Sequence, residues 1–111
     1  MKRYSIVLAN LMSESGELNA ETAARVDLAV QIEKNAESTF ILLCGWPYRP
    51  DSDIAIADAM RRYLLAKYPA LSQKSRCQRL SRDTVGDAVF SRIFLDALTG
   101  GLATCLVNVI T

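Results

Sequence analysis

Short apolar runs alternate with long amphipathic stretches along this chain, and that alternation leaves few folds open to it. Residues 6–9, residues 40–44 and the segment Cys105–Ile110 have strand length and are nearly continuous in apolar residues, the pattern of strands covered on both faces. A fourth segment, residues 77–80, is crowded by Lys74, Arg76, Gln78 and Arg79, so it reads as a short edge strand or a plain loop. Between these segments, residues 20–35, 54–67 and 84–98 carry apolar positions at helical spacing. The order βαβαβαβ predicts an α/β fold: a Rossmann-like, doubly wound, mainly parallel four-stranded sheet with right-handed crossovers and helices on its faces, in three α/β/α layers.

The punctuation fits that order. Asn19 can cap the first helix, Pro50-Asp51-Ser52-Asp53 offers a turn and cap for the second, and Asp83 or Ser81 can cap the third, which Thr99-Gly100-Gly101 stops. With 111 residues, half of them apolar, the chain predicts a single domain over 1–111 with one sizeable core.

Charge and composition narrow the function classes. Thirteen Lys and Arg against 12 Asp and Glu leave a net charge of +1 with no basic block and few aromatics, which sets nucleic-acid binding aside. The opening apolar run Ser5-Ile6-Val7-Leu8-Ala9 is too short for a signal-peptide core, and no run approaches the roughly 18 apolar residues of a membrane helix. The expectation is a cytoplasmic protein without membrane insertion. Cys44, Cys77 and Cys105 are isolated and lie in or beside strands, so they read as buried thiols rather than disulfides or metal ligands. The chain has no histidine, which removes His-based triads and the common zinc sites.

In an open parallel sheet the loops after the carboxyl ends of the strands gather on one edge, where ligands bind. Residues 10–19, 45–53 and 81–84 are those loops, and they hold most of the unusual polar residues. Ser81-Arg82-Asp83-Thr84-Val85-Gly86-Asp87-Ala88 places hydroxyls, a cation and two carboxylates where a strand turns into a helix, a place that either caps the helix or holds an anion. Asp87, Ser91, Phe94 and Leu98 share one line of that helix, so Asp87 is expected to face inward. Arg25 falls between Ile32 and Ala29 around the first helix, near Leu28, on its apolar stripe. Its head either stays in water above a packed stem or reaches a partner. Arg25 and Asp87 either pair with each other or flank a polar pocket completed by Ser81 and Thr84. Gly45-Trp46-Pro47-Tyr48-Arg49-Pro50 follows the second strand; its glycine allows close backbone approach and its aromatics could stack on a ring or simply cover the sheet end.

Read in order, the pieces are an opening strand and turn (Ile6-Val7-Leu8-Ala9-Asn10), Gly16-Glu17-Leu18, Thr22-Ala23-Ala24-Arg25-Val26-Asp27-Leu28-Ala29, a strand closing in glycine (Ile41-Leu42-Leu43-Cys44-Gly45), a helix with Ala59-Met60 and Tyr63-Leu64, and the Ser81 to Ala88 string. In order and spacing they resemble the bacterial YdcF, SanA and ElyC family of unknown function, whose signature there is Ser-x-(Asn/Asp)-Thr-x-Glu-Asn-Ala. The departures are Ala9-Asn10 in place of a glycine pair, Ile56 and its neighbours in place of an early glutamate, and Gly86-Asp87 in place of Glu-Asn. The family continues past its Val-Thr-Ser strand into a histidine and arginine motif, whereas this chain stops at Val109-Ile110-Thr111. The expectation is a truncated or divergent member whose uncovered last strand is masked by dimerisation.

The resemblance implies a polar small-molecule site and a link to cell-envelope processes. The expected function is binding of an anionic or nucleotide-like small molecule, a nucleotide or S-adenosylmethionine among them. Arg25, Ser81, Asp83, Thr84 and Asp87 stand at the site, with Asn10 and Gly45 on its rim. One alternative is an enzyme acting on a phosphorylated or glycosidic envelope precursor, with Asp87 or Asp83 as acid or base. The other is an interaction module or inactive remnant held together by self-association.

Overall fold

In the computed structural model, which describes residues 2–33, 39–82, 86–87, 89–93 and 105–110, the strands are β1 (Lys2–Leu8), β2 (Thr39–Cys44), β3 (Ser75–Gln78) and β4 (Cys105–Ile110). They form one sheet in the order β3-β2-β1-β4, and every pairing is parallel. Helices α1 (Ala20–Glu33) and α2 (Ile56–Lys67) and a 3₁₀ segment (Pro69–Lys74) connect them, and residues 86–87 and 89–93 are helical. This is the expected α/β, Rossmann-like arrangement. The expected helix stop at Thr99-Gly100-Gly101, with Phe94, Leu98, Asp83 and Thr84, lies outside the described residues.

Strand alternation divides the core. Val7, Ile41, Leu43 and Ile110 share one face and pack with Val26, Ala29 and Val30 of α1 and with Met60 and Leu64 of α2. Tyr4, Ile6, Leu8, Leu42 and Cys44 form the opposite face, with Phe40 against them. Ser91 hydrogen-bonds Cys44 there, which places the helical residues 89–93 on the side opposite α1 and α2. Helical residues therefore lie against both faces of the sheet, and the chain reverses its direction of winding between β1 and β4. Such reversals are where open α/β sheets hold ligands. On β4, Val107 and Val109 remain exposed.

Three local expectations are corrected. The third strand runs Ser75–Gln78 rather than over residues 77–80, and Leu80 is exposed beyond it. Its two buried residues are Ser75 and Gln78, polar side chains held inside by hydrogen bonds, so apolar periodicity could not locate it. Helix α2 starts at Ile56 with Ala55 as its N-cap, and no side chain from residues 50–53 caps it. The Ile56 and Ala57 N–H groups donate instead to the carbonyls of Trp46 and Gly45, each at 3.3 Å. On α1 the buried stripe comprises Thr22, Val26, Ala29 and Val30, with Leu28 exposed, so Arg25 sits at the stripe's margin rather than on it. The Asn19 cap stands as expected, its Oδ1 accepting from the Thr22 N–H at 2.9 Å.

Helices α1 and α2 are tied through Asp27, midway along α1, and the last turns of α2. The Asp27 carboxylate accepts from Tyr63 Oη at 2.9 Å, from Lys67 Nζ at 3.3 Å and from Tyr68 Oη at 3.4 Å. Lys67 Nζ also stands 5.1 Å from the centroid of the Tyr63 ring. Among the described residues, no helix is long and apolar enough to cross a membrane. Cys44 is a buried free thiol and Cys77 a half-buried one.

Candidate functional site

A cavity of about 400 Å³ opens at the carboxyl ends of β1 and β2. Its walls come from the β1–α1 loop (Asn10, Leu11), α1 (Arg25), the β2–α2 loop (Gly45, Trp46, Tyr48) and the segment after β3 (Ser81, Arg82, Asp87). Of the residues expected at a site, Asn10, Arg25, Gly45, Ser81 and Asp87 line this one space. Asp83 and Thr84 lie outside the described residues.

The β1–α1 loop is closed on the start of α1. The Asn10 and Leu11 N–H groups both donate to Thr22 Oγ1, at 3.1 and 3.0 Å, and Asn10 Oδ1 accepts from Asn19 Nδ2 at 2.9 Å. These backbone donors are used within the fold and are not free to cradle an anion. Asn10 is exposed at the rim.

Gly45 is a glycine because of packing. Its φ of +147° is a conformation side chains rarely adopt, and a Cβ there would overlap Ile56 Cγ2. Its N–H donates to the Gln78 carbonyl at 2.9 Å, joining the ends of β2 and β3. The close approach it permits is to α2, and Gly45 also forms part of the cavity wall.

Arg25 takes neither of the two arrangements expected of it in pure form. Its Nη1 donates to the Leu8 carbonyl at 2.9 Å and its Nη2 to Glu21 Oε1 at 2.8 Å, an i,i+4 ion pair. Its Nε is buried with no hydrogen-bond partner among the described residues. One edge of the guanidinium therefore holds the end of β1 while a buried donor stays unsatisfied in a residue that lines the cavity.

Two features of the wall were not foreseen. The Arg82 guanidinium stacks over the Trp46 ring with Cζ 4.1 Å from its centroid. The pairing depends on the Trp46 N–H donating to the Ser81 carbonyl at 3.2 Å, a contact between distant segments that spacing along the chain does not reveal. Behind the cavity lies a buried polar chain. Gln78 Nε2 donates to Ser81 Oγ at 3.0 Å and stands 3.5 Å from Ser91 Oγ, which in turn lies 3.2 Å from Cys44 Sγ. Burial pushes the Cys44 thiol up to about 12, with the Ser91 hydrogen bond opposing and the Asp87 charge adding to the rise. It is a protonated, inert wall residue at neutral pH.

The cavity thus offers mixed chemistry: two guanidinium groups, a hydroxyl, an indole face and one carboxylate. No family model, no curated protein and no solved structure matches this chain.

Proposed function

We propose that this cavity binds a small, nucleotide-like molecule bearing an oxyanion. The observation that carries the reading is the buried Arg25 Nε–H, which has no acceptor among the described residues. Buried donors in folded proteins nearly always have a partner, and the guanidinium that carries this one belongs to the cavity wall. Arg82 adds a second cation whose only contact among the described residues is the Trp46 ring, and that indole offers a platform for a flat ring. Asp87 supplies an acceptor for hydroxyl or amino groups of the same ligand. A volume of about 400 Å³ lies within the usual range for small-molecule sites. The resemblance to the YdcF, SanA and ElyC family agrees with a polar small-molecule site at this edge and suggests an envelope-related ligand.

The test is a thermal-shift screen with nucleotides, S-adenosylmethionine and sugar phosphates. A ligand at a hundredfold excess over its Kd stabilises by about 2.7 kcal/mol, a rise of roughly 10 °C for a domain this small. Arg25→Lys keeps a cation but loses the fork and Nε, and should abolish most of the rise. A screen that leaves the midpoint unchanged removes the reading. Trp46 is the only tryptophan, so its emission gives an independent titration.

Asp87 in the same wall favours a second, enzymatic reading, in which it carries a proton for reaction of a phosphorylated or glycosidic ligand. Turnover that disappears in Asp87→Asn while binding persists would select it over simple binding.

A further inference from the structure

We infer that Gln78 is a positioning residue that turns the Ser81 hydroxyl into a hydrogen-bond donor for an oxyanion in the cavity, an inference resting on the binding function proposed above. The orientation of the Gln78 amide is fixed by its surroundings. Its Oε1 accepts from two backbone N–H groups, Leu80 at 2.7 Å and Ser81 at 2.9 Å, so its Nε2 faces the two serine hydroxyls. An amide NH₂ only donates. Ser81 Oγ must therefore accept from Gln78, and its own proton has to point to another acceptor.

Among the described residues no acceptor for that proton is present, although Ser81 is only 2 % exposed and lines the cavity. Gln78 is itself 3 % exposed, so water does not compete for its amide. The same amide fixes the Ser81 backbone, whose carbonyl holds the Trp46 N–H. Gln78 thereby sets both a donor and the neighbouring indole without reaching the ligand. The Ser81 hydroxyl proton, without an acceptor among the described residues, selects a phosphate or carboxylate oxygen over a donor group at this point, and the Arg25 guanidinium in the same wall supplies a positive charge.

Gln78→Glu reverses this polarity and adds a charge behind the cavity, so its effect is read beside that of the neutral Ser81→Ala. A carboxylate at that place still accepts from the Leu80 and Ser81 N–H groups, but now it also accepts from the Ser81 hydroxyl, turning that proton away from the cavity. Titrations of Trp46 emission with adenosine 5′-monophosphate and with adenosine would be run on wild type, Gln78→Glu, Ser81→Ala, Ser81→Thr and Ser91→Ala, each with its thermal midpoint. Wild type should bind the monophosphate more tightly than adenosine. Gln78→Glu and Ser81→Ala should weaken the monophosphate by about tenfold or more while leaving adenosine unchanged, and Ser81→Thr should restore it. Ser91→Ala should lower the midpoint and keep the affinity, since Ser91 is bound to Gln78 but does not line the cavity.

Monophosphate affinity that survives both Gln78→Glu and Ser81→Ala overturns this inference and leaves the proposed function standing. Adenosine weakened in equal measure also overturns it, because the loss is then one of general shape. If Gln78→Glu does not fold, the contrast between Ser81→Ala and Ser81→Thr decides. Wild type that binds neither probe, nor any member of the wider screen, overturns the proposed function and this inference together.

Discussion

The phenolic oxygen of Tyr48 accepts from the Met12 N–H at 2.8 Å and donates to the Met12 carbonyl at 3.1 Å, so one side chain satisfies both polar groups of a residue in another loop. Arg49 Nη1 donates to the same carbonyl at 2.8 Å. Met12 is buried with Ile56 and Ala59, and the β1–α1 and β2–α2 loops behave as one wall of the cavity.

Tyr48→Phe should therefore destabilise by about 1–3 kcal/mol, because the buried Met12 N–H loses its partner while the carbonyl keeps Arg49. Thermal unfolding would show a drop of several degrees, and amide exchange at Met12 should accelerate more than in α2. Unchanged exchange at Met12 would mean that the loops hold together without this contact.

Gly45→Ala should cost more than about 2 kcal/mol, since it adds backbone strain to an overlap with Ile56 Cγ2. The overlap, unlike the strain, is relieved by shortening Ile56. A double-mutant cycle with Ile56→Ala in urea unfolding should show the two costs adding to less than their sum.

Stability should fall on the alkaline side because of Cys44. In the unfolded chain its thiol ionises near 9.0, whereas burial holds the folded one protonated to about 12. Above 9 the unfolded state binds fewer protons, so this contribution is fully present below that pH and is lost as pH rises towards 12, at up to about 1.4 kcal/mol per unit. Urea unfolding between pH 8 and 11 should show a shallower decline in Cys44→Ala. Cys77, raised to about 11 for the same reason of burial, accounts for part of the slope that remains.

At acid pH the pair to watch is Asp58 and Arg79. Arg79 Nε lies 2.8 Å from Asp58 Oδ2 and its Nη2 lies 2.7 Å from Oδ1, a fork joining the first turn of α2 to the end of β3. The hydrogen bond from Arg79 lowers the Asp58 carboxyl below the usual range, so its contribution is present above about pH 4 and is lost as pH falls through the depressed value. Both groups are more than a third exposed, so Arg79→Ala should cost less than about 1 kcal/mol and less again in 1 M salt. A larger loss in thermal unfolding would show the pair doing more than a surface bridge.

The legible parts of the fold were those written in apolar periodicity. β1 and β2 are runs buried on both faces of the sheet, β4 has the same apolar pattern although Val107 and Val109 stay exposed, and α1 begins at its Asn19 cap. β3 was misplaced because Ser75 and Gln78 are inside by virtue of hydrogen bonds, Ser75 to Arg61 on α2 and Gln78 to Ser81 in the turn that follows, which apolar periodicity does not record. The start of α2 was misassigned for a related reason: backbone carbonyls do there what a capping side chain does elsewhere. At the site, topology was enough to bring Asn10, Arg25, Gly45, Ser81 and Asp87 to one edge. It could not show that Gly45 serves packing, that Arg25 is half committed to Leu8 and Glu21, or that Gln78 stands behind Ser81.

Because Trp46 and Gly45 lend their carbonyls to the first amides of α2, those amides are already engaged inside the protein. Among the described residues, recognition at this edge then falls to side chains, and Arg82, exposed and resting on an indole, can be exchanged without disturbing the scaffold. A change of guest can thus begin at Arg82, whereas Arg25, which holds the end of β1, and Gln78, which holds the Ser81 backbone, are tied to the fold itself.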